Sequence, residues 1–155
     1  KTNFDHQVEA RFLSRKNDLD IVVYSIIRKK SFFQARELYL RINEKEAEFS
    51  DLALKYSEGI EKHSKGIIGP IPIGQSHPRL AEHIRKSTPG ETQAPIEIEG
   101  SHIILRVESY NSAKLDDYMR EKMREELFQK WVRSNVVEIR KSILEGIKAN
   151  SNIIE

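Results

Sequence analysis

Apolar positions along this chain change their period several times, and each change marks an element. Val8, Phe12 and Leu13 recur at helical spacing between Asp5 and Asn17, which predicts a short helix ending in the charged link Lys16-Asn17-Asp18. From Ile21 to Ile27 the chain is β-branched or aromatic except at Ser25, and Asp20 and the basic run Arg28-Lys29-Lys30 bound it, the pattern of a central, buried strand. Phe32, Ala35, Leu38, Tyr39 and Ile42 return to one helical stripe that Ser31 can cap. After the acidic interruption Glu44 to Glu48, Phe49, Leu52, Ala53 and Tyr56 predict a second helix, with Ser50 as its cap. Gly59 to Gly74 is rich in Gly, Pro and Ile, so it predicts a short strand around Ile67 to Ile71 inside loops. Pro78 opens a helix carrying Leu80, Ala81 and Ile84. Thr88-Pro89-Gly90-Glu91 is turn chemistry, and Ala94 to Glu99 and His102 to Glu108 alternate around Gly100-Ser101 as a hairpin does.

From Leu115 the period settles. Leu115, Met119, Met123, Leu127 and Trp131 recur every four residues, with Tyr118, Phe128 and Val132 beside them, and Val136, Ile139, Ile143 and Ile147 carry the stripe on. This is one long amphipathic helix or two. Some 30 residues of helix span roughly 45 Å at 1.5 Å per residue. The stripe either packs on the preceding domain or buries itself against an N-terminal helical region or a partner, for which Met119, Met123 and Trp131 suit an adaptable contact. The organisation that follows is the end of a helical segment over 1–18, an α+β domain over 19–111 and a long helix over 112–155.

Composition narrows the function classes. The 155 residues are 38% hydrophobic with a formal net charge of +2, so a core is affordable while nothing marks a surface for nucleic acid or an anionic membrane. Absence of cysteine removes disulfides, thiol catalysis and thiolate metal sites. No apolar run is long enough for a membrane span. The chain begins at Lys1, which leaves open what precedes it and whether the compartment is cytoplasmic or extracytoplasmic. His63, His77 and His83 lie scattered without ligand spacing, so no metal is expected; Ser25, Ser57 and Ser101 lack a GxSxG setting; and no GK[ST] follows Gly66 and Gly69 to make a phosphate loop.

The ordered pieces GIIG at 66 to 69, TPGE at 88 to 91 and GSHIILRV at 100 to 107, set in the order strand, helices, strand, helix, hairpin, resemble a parvulin-type peptidyl-prolyl isomerase domain over about Asp20 to Tyr110. The resemblance implies a parvulin-like α+β fold: a four-stranded antiparallel or mixed sheet with surrounding helices, here with a short N-terminal helix and a long C-terminal amphipathic helix. The flanking helices make the domain similar to the isomerase module of SurA- and PrsA-type foldases. It resembles still more the parvulin-like proteins that accompany secretion systems in cyanobacteria, in which the final long helix packs with N-terminal helices as a chaperone part.

Members of that family turn an X-Pro bond, whose barrier is roughly 18–20 kcal/mol, without cofactor or covalent intermediate. They seat the proline ring in an apolar pocket over two histidines, with a Cys or Asp opposite. Carried over residue by residue, the hairpin histidine is His102 and the first-strand histidine falls on Ser25, which gives these two as the catalytic pair. The Cys or Asp position falls near Gly59, beside Glu58; the pocket Met and Phe fall near Ser76 and Leu80, the intervening Gln near His77, and Ile71 completes the rim. Only the histidine at 102 keeps the family's residue, so the resemblance implies a degenerate site with weak turnover. Two functions are expected: an isomerase-like foldase for proline-containing, unfolded or extended polypeptides, linked to secretion, or a non-catalytic peptide-binding or scaffolding module. The C-terminal helix is expected to meet a second copy or N-terminal helices.

Overall fold

The structure, a computed structural model, describes residues 2–151. The chain divides into two compact units, one from Lys16 to Ala113, the other made of the residues up to Arg15 together with those from Lys114 onward.

In chain order the elements are α1 (Thr2–Leu19), β1 (Ile21–Lys29), α2 (Phe32–Asn43), α3 (Phe49–Tyr56), β2 (Ile67–Pro72), α4 (Pro78–Lys86), β3 (Ile96–Ile98), β4 (Ser101–Asn111) and α5 (Asp117–Ser151). A short 3-10 turn, Ile60–Ser64, precedes β2, and a second, Ile73–Gln75, follows it. The four strands form one antiparallel sheet in the order β2-β1-β4-β3, so β1 lies beside the hairpin strand β4 as two buried apolar strands should.

Strand parity divides the sheet's residues between two cores. Val22, Tyr24 and Ile26 of β1 and Ile103, Leu105 and Val107 of β4 point to one face, where Leu80, Ala81 and Ile84 of α4 cover them. Ile27 and Ile104 point to the other, under Leu38 of α2 and Phe49, Leu52 and Ala53 of α3. Helices on both sides explain why β1 reads as a continuous apolar run rather than an alternating one. Gly66 and Gly69 bring β2 against β1: both have positive φ, and a Cβ on Gly66 would sit 2.7 Å from the Ile26 carbonyl oxygen while one on Gly69 would strike that of Val22.

Several local expectations shift. Ser31 does cap α2, accepting from the Gln34 amide at 3.3 Å, but α3 begins two residues earlier than a Ser50 cap requires, with Glu48 at the N-cap and no side-chain cap bond. Helix α1 runs longer than predicted, and Leu13 lies on its exposed side while Val8 and Phe12 are buried.

In the other unit, Glu126 of α5 joins α1, accepting from Arg11 Nε at 3.1 Å and from Arg15. Met119 and Met123 are buried. Beyond Glu126, α5 continues for a further 25 described residues, Leu127 to Ser151, and Phe128, Trp131, Val136, Val137, Ile139, Ile143, Leu144 and Ile147 are all exposed, Trp131 by 63%. Among the described residues no helix is long and apolar enough to cross a membrane.

Candidate functional site

The polar groups of the sheet unit fall on opposite sides of it. On the α4 face, Tyr24 is nearly fully buried among apolar neighbours, and its hydroxyl lies 3.1 Å from Ser76 Oγ. Burial pushes the Tyr24 phenol above its ordinary pKa, against the smaller opposing effects of the Ser76 hydrogen bond and the Arg28 charge, so it remains a neutral donor. Two hydroxyls that share one hydrogen bond still have one O–H to offer, enough to meet a peptide carbonyl.

His77 follows at the N-cap of α4. Its Nδ1 accepts from the Arg79 amide at 3.2 Å, and its Nε2 lies 3.1 Å from Glu99 Oε1. The cap fixes the tautomer with the proton on Nε2, directed at the Glu99 carboxylate. Ile71 packs half-buried against the same core. Leu80 is 5% exposed and belongs to that core, so it supports the rim from beneath rather than walling an open pocket. Ile71, Ser76, His77 and Leu80 thus lie on the α4 side of the sheet.

The expected catalytic floor is not assembled. Ser25 lies between Tyr24 and Ile26 in β1 and so faces the α2/α3 side, where its hydroxyl donates to Glu108 Oε1 at 2.8 Å. His102 shares that side with Ile104, and its ring meets Phe32 edge-on, centroids 5.4 Å apart. In the β1–β4 register Ser25 stands opposite Arg106 and His102 opposite Lys29, four positions along the strand, or about 13 Å at ~3.3 Å per residue. The pair therefore shares a face without sharing a hydrogen bond, and the sheet separates it from the rim.

Gly59 stands apart from both groups. It follows Glu58, whose amide donates to the Arg28 carbonyl at 3.0 Å at the far end of β1. A Cβ at Gly59 would overlap the Glu61 carboxylate, which is buried, accepts from Ser57 Oγ at 2.7 Å and lies 3.5 Å from Arg28 Nε. The Ser57 oxygen in turn accepts from the Arg28 amide at 3.0 Å. Gly59 is needed there for room beside a structural carboxylate, and Glu58 pairs with Lys29 at 2.8 Å, which holds its carboxyl below the usual range.

Sequence reasoning passed over Tyr24, counting it as an apolar strand residue. A signal existed: a phenol at the parity of Val22 and Ile26 is buried, and a buried phenol needs a partner. Arg106 and Glu108 were passed over as well, as outward residues of a hairpin strand.

The comparisons with known proteins agree with this architecture. The family model described as the PPIC-type PPIASE domain matches residues 27–109. Among solved structures, the peptidylprolyl isomerase PrsA of Bacillus anthracis superposes with a TM-score of 0.62 at 18% identity, covering 82% of this chain and 61% of that one. PrsA of Bacillus subtilis gives 0.54 at 21% identity, covering 85% and 50%. A SurA-like chaperone of Campylobacter jejuni gives 0.57 at 14% identity, covering 91% and 61%. The chain spans half to three fifths of the length of these proteins. No curated protein matches it. With more than half of its residues inside the matched model and its sheet order and helices in place, the chain belongs to the PPIC-type peptidyl-prolyl isomerase, or parvulin, family.

Proposed function

We propose that this protein is a foldase of the parvulin type that holds proline-containing, unfolded or extended polypeptides on the α4 face and turns X-Pro bonds slowly, in the service of secretion. The observation that carries the reading is the Tyr24–Ser76 hydroxyl pair beside the half-buried Ile71 and His77, where hydroxyl donors meet an apolar wall under the family's fold. The buried hydroxyls supply a donor to a twisted imide carbonyl, and the surrounding core lowers the local dielectric in which that bond acts. Proton transfer and cofactors play no part in this rotation.

Turnover is low because the ring-binding wall is thin. Leu80 is committed to the core, and an aromatic contact with the ring would be worth about 0.5–1.5 kcal/mol beyond its area. Two or three such losses, at about tenfold per 1.4 kcal/mol, lower kcat/KM on a short X-Pro peptide by roughly two to four orders of magnitude relative to a complete parvulin. Protease-coupled or NMR exchange assays should show little acceleration, while peptide titration moves resonances of Ile71, Ser76 and His77. Fast turnover abolished by His102→Ala would overturn this and place the chemistry on the other face.

A non-catalytic peptide-binding or scaffolding role is the second reading, favoured by the separation of Ser25 and His102 from the rim. In either case the exposed apolar stripe of α5 is a contact surface, for a second copy or for further helices of the foldase, with Trp131 its largest side chain. Solution mass of the wild type and of Trp131→Glu tests this: a lower mass for the variant supports a second copy.

A further inference from the structure

A cleft of about 580 Å³ opens on the α2/α3 side of the sheet, lined among others by Lys45, Glu48, Phe49, Glu91, Thr92 and Arg106. Arg106 has the parity of Ile104, opposite to Leu105 and Val107, so this cleft and the α4 rim are separated by the sheet. Its guanidinium is held from two directions: it lies 4.8 Å over the Phe49 ring, and its Nε donates to Glu108 Oε1 at 2.7 Å. The same carboxylate oxygen is fixed from behind by the Ser25 hydroxyl at 2.8 Å, and Ser25 is 2% exposed. Among the described residues neither terminal nitrogen of Arg106 has a hydrogen-bond partner. A planar fork whose third donor is already anchored is preorganised for one more acceptor group.

Lys45 provides a second positive charge on the wall. It adopts a left-handed conformation (φ 60°) in the α2–α3 connection, which the bonds from its amide to the Ile42 carbonyl and from the Glu46 amide to the Arg41 carbonyl hold closed. The wall also carries Glu48 and Glu91. Two carboxylates beside two cations oppose a free dianion such as phosphate and suit a singly charged carboxylate that comes with N–H donors attached, which is the character of a polypeptide.

We propose that this cleft is a second polypeptide subsite, in which the terminal nitrogens of Arg106 take a peptide carboxylate while Glu48 and Glu91 face the peptide's N–H groups. The inference rests on the reading of the protein as a binder of polypeptides, but it needs no proline in the ligand. Ser25 then has a use that the family's catalytic pattern did not suggest: it is a positioning residue that steadies Glu108, and through it Arg106.

NMR titration with three alanine-rich, N-acetylated, proline-free peptides tests it: one with a free C-terminal carboxylate, its C-terminal amide, and that amide with one internal Glu. The carboxylate peptides should shift Lys45, Phe49 and Thr92, and the plain amide should not. Response to the free acid alone assigns the carboxylate to a chain end, and response to both assigns it to carboxylates generally. Arg106→Gln should weaken binding at least ~10-fold, about 1.4 kcal/mol. Arg106→Lys, which keeps the charge and loses the fork, should also weaken it, and the exposed Lys45→Ala should weaken it by ~2–5-fold without disturbing the fold. Equal shifts from the plain amide, tighter binding of inorganic phosphate, or no shift from either carboxylate peptide would overturn the proposal. A capped proline peptide without carboxylate reports separately on Ile71, Ser76 and His77, so failure of this subsite and failure of the α4 reading are distinguishable.

Discussion

The two faces of the sheet are covered alike and equipped differently. Under α4, the neutral Tyr24 and Ser76 hydroxyls are set against apolar side chains, with carboxylates only at the periphery, Glu99 beside His77 and Asp20 under Tyr110. Under α2 and α3 the polar groups are charged and linked, Ser25 to Glu108 to Arg106. A neutral pair in a dry setting can meet a twisting imide; a held guanidinium can meet a carboxylate. One strand thus presents two kinds of group by alternation, and residues adjacent in sequence, such as Tyr24 and Ser25, face opposite sides of the sheet.

The largest effect expected comes from removing either core. Leu105→Ala on the α4 face and Ile104→Ala on the other should each cost about 2–5 kcal/mol in urea unfolding, since both side chains are fully buried. A loss well below that range at one position would mean that its helices are a detachable cover.

Next come the hydroxyls. Ser25→Ala removes a bond to a charged group and should cost about 1.5–3 kcal/mol, with peptide shifts at Ile71 and Ser76 unchanged. Tyr24→Phe should cost only about 0.5–1.5 kcal/mol but should weaken those shifts. If Ser25→Ala abolishes turnover and Tyr24→Phe spares it, the assignment of the faces is reversed.

A smaller effect appears only in alkali. Tyr110 packs against the α4 core and donates to Asp20 at 2.5 Å, and burial, helped by the Asp20 hydrogen bond and charge, pushes its pKa from 10.0 to about 12. A raised phenol pKa stabilises the fold through the neutral form, so this contribution is complete below pH 10 and is lost as pH rises through about 12. Stability measured across that range should fall less steeply in Tyr110→Phe; an unchanged slope would remove Tyr110 as the cause.

The smallest change in stability, within about 0.5 kcal/mol, is expected for Trp131→Glu on the exposed stripe of α5. Urea unfolding should leave the sheet unit unchanged, and a larger loss would mean that Trp131 supports the fold.

Much of the fold could be read from period and punctuation. The parity of β1 and β4, the Ser31 cap, the glycines at and within the start of β2 and the proline opening α4 are local signals that the tertiary structure obeys. What could not be read was which face each polar residue serves. The register that sets Ser25 opposite Arg106 and Lys29 opposite His102 arises from the pairing of two distant strands and is written in neither one. Matching motifs put Ser25 and His102 at equivalent family positions, but contact depends on register, and the structure leaves them four positions apart. Gly59 was misleading for another reason: its smallness makes room for Glu61, a need no neighbouring residue advertises.

The strands at the sheet's margins bear on how this domain avoids pairing with other chains. One margin, β2, carries Pro70 and Pro72, which have no N–H to donate; the other, β3, is three residues long. Neither offers the long row of open backbone groups on which a stray segment could zip itself and then recruit more. Any extended segment that meets this sheet therefore finds no ladder to extend, and isolated contacts, rather than a continuous run of strand pairing, are what its margins leave available.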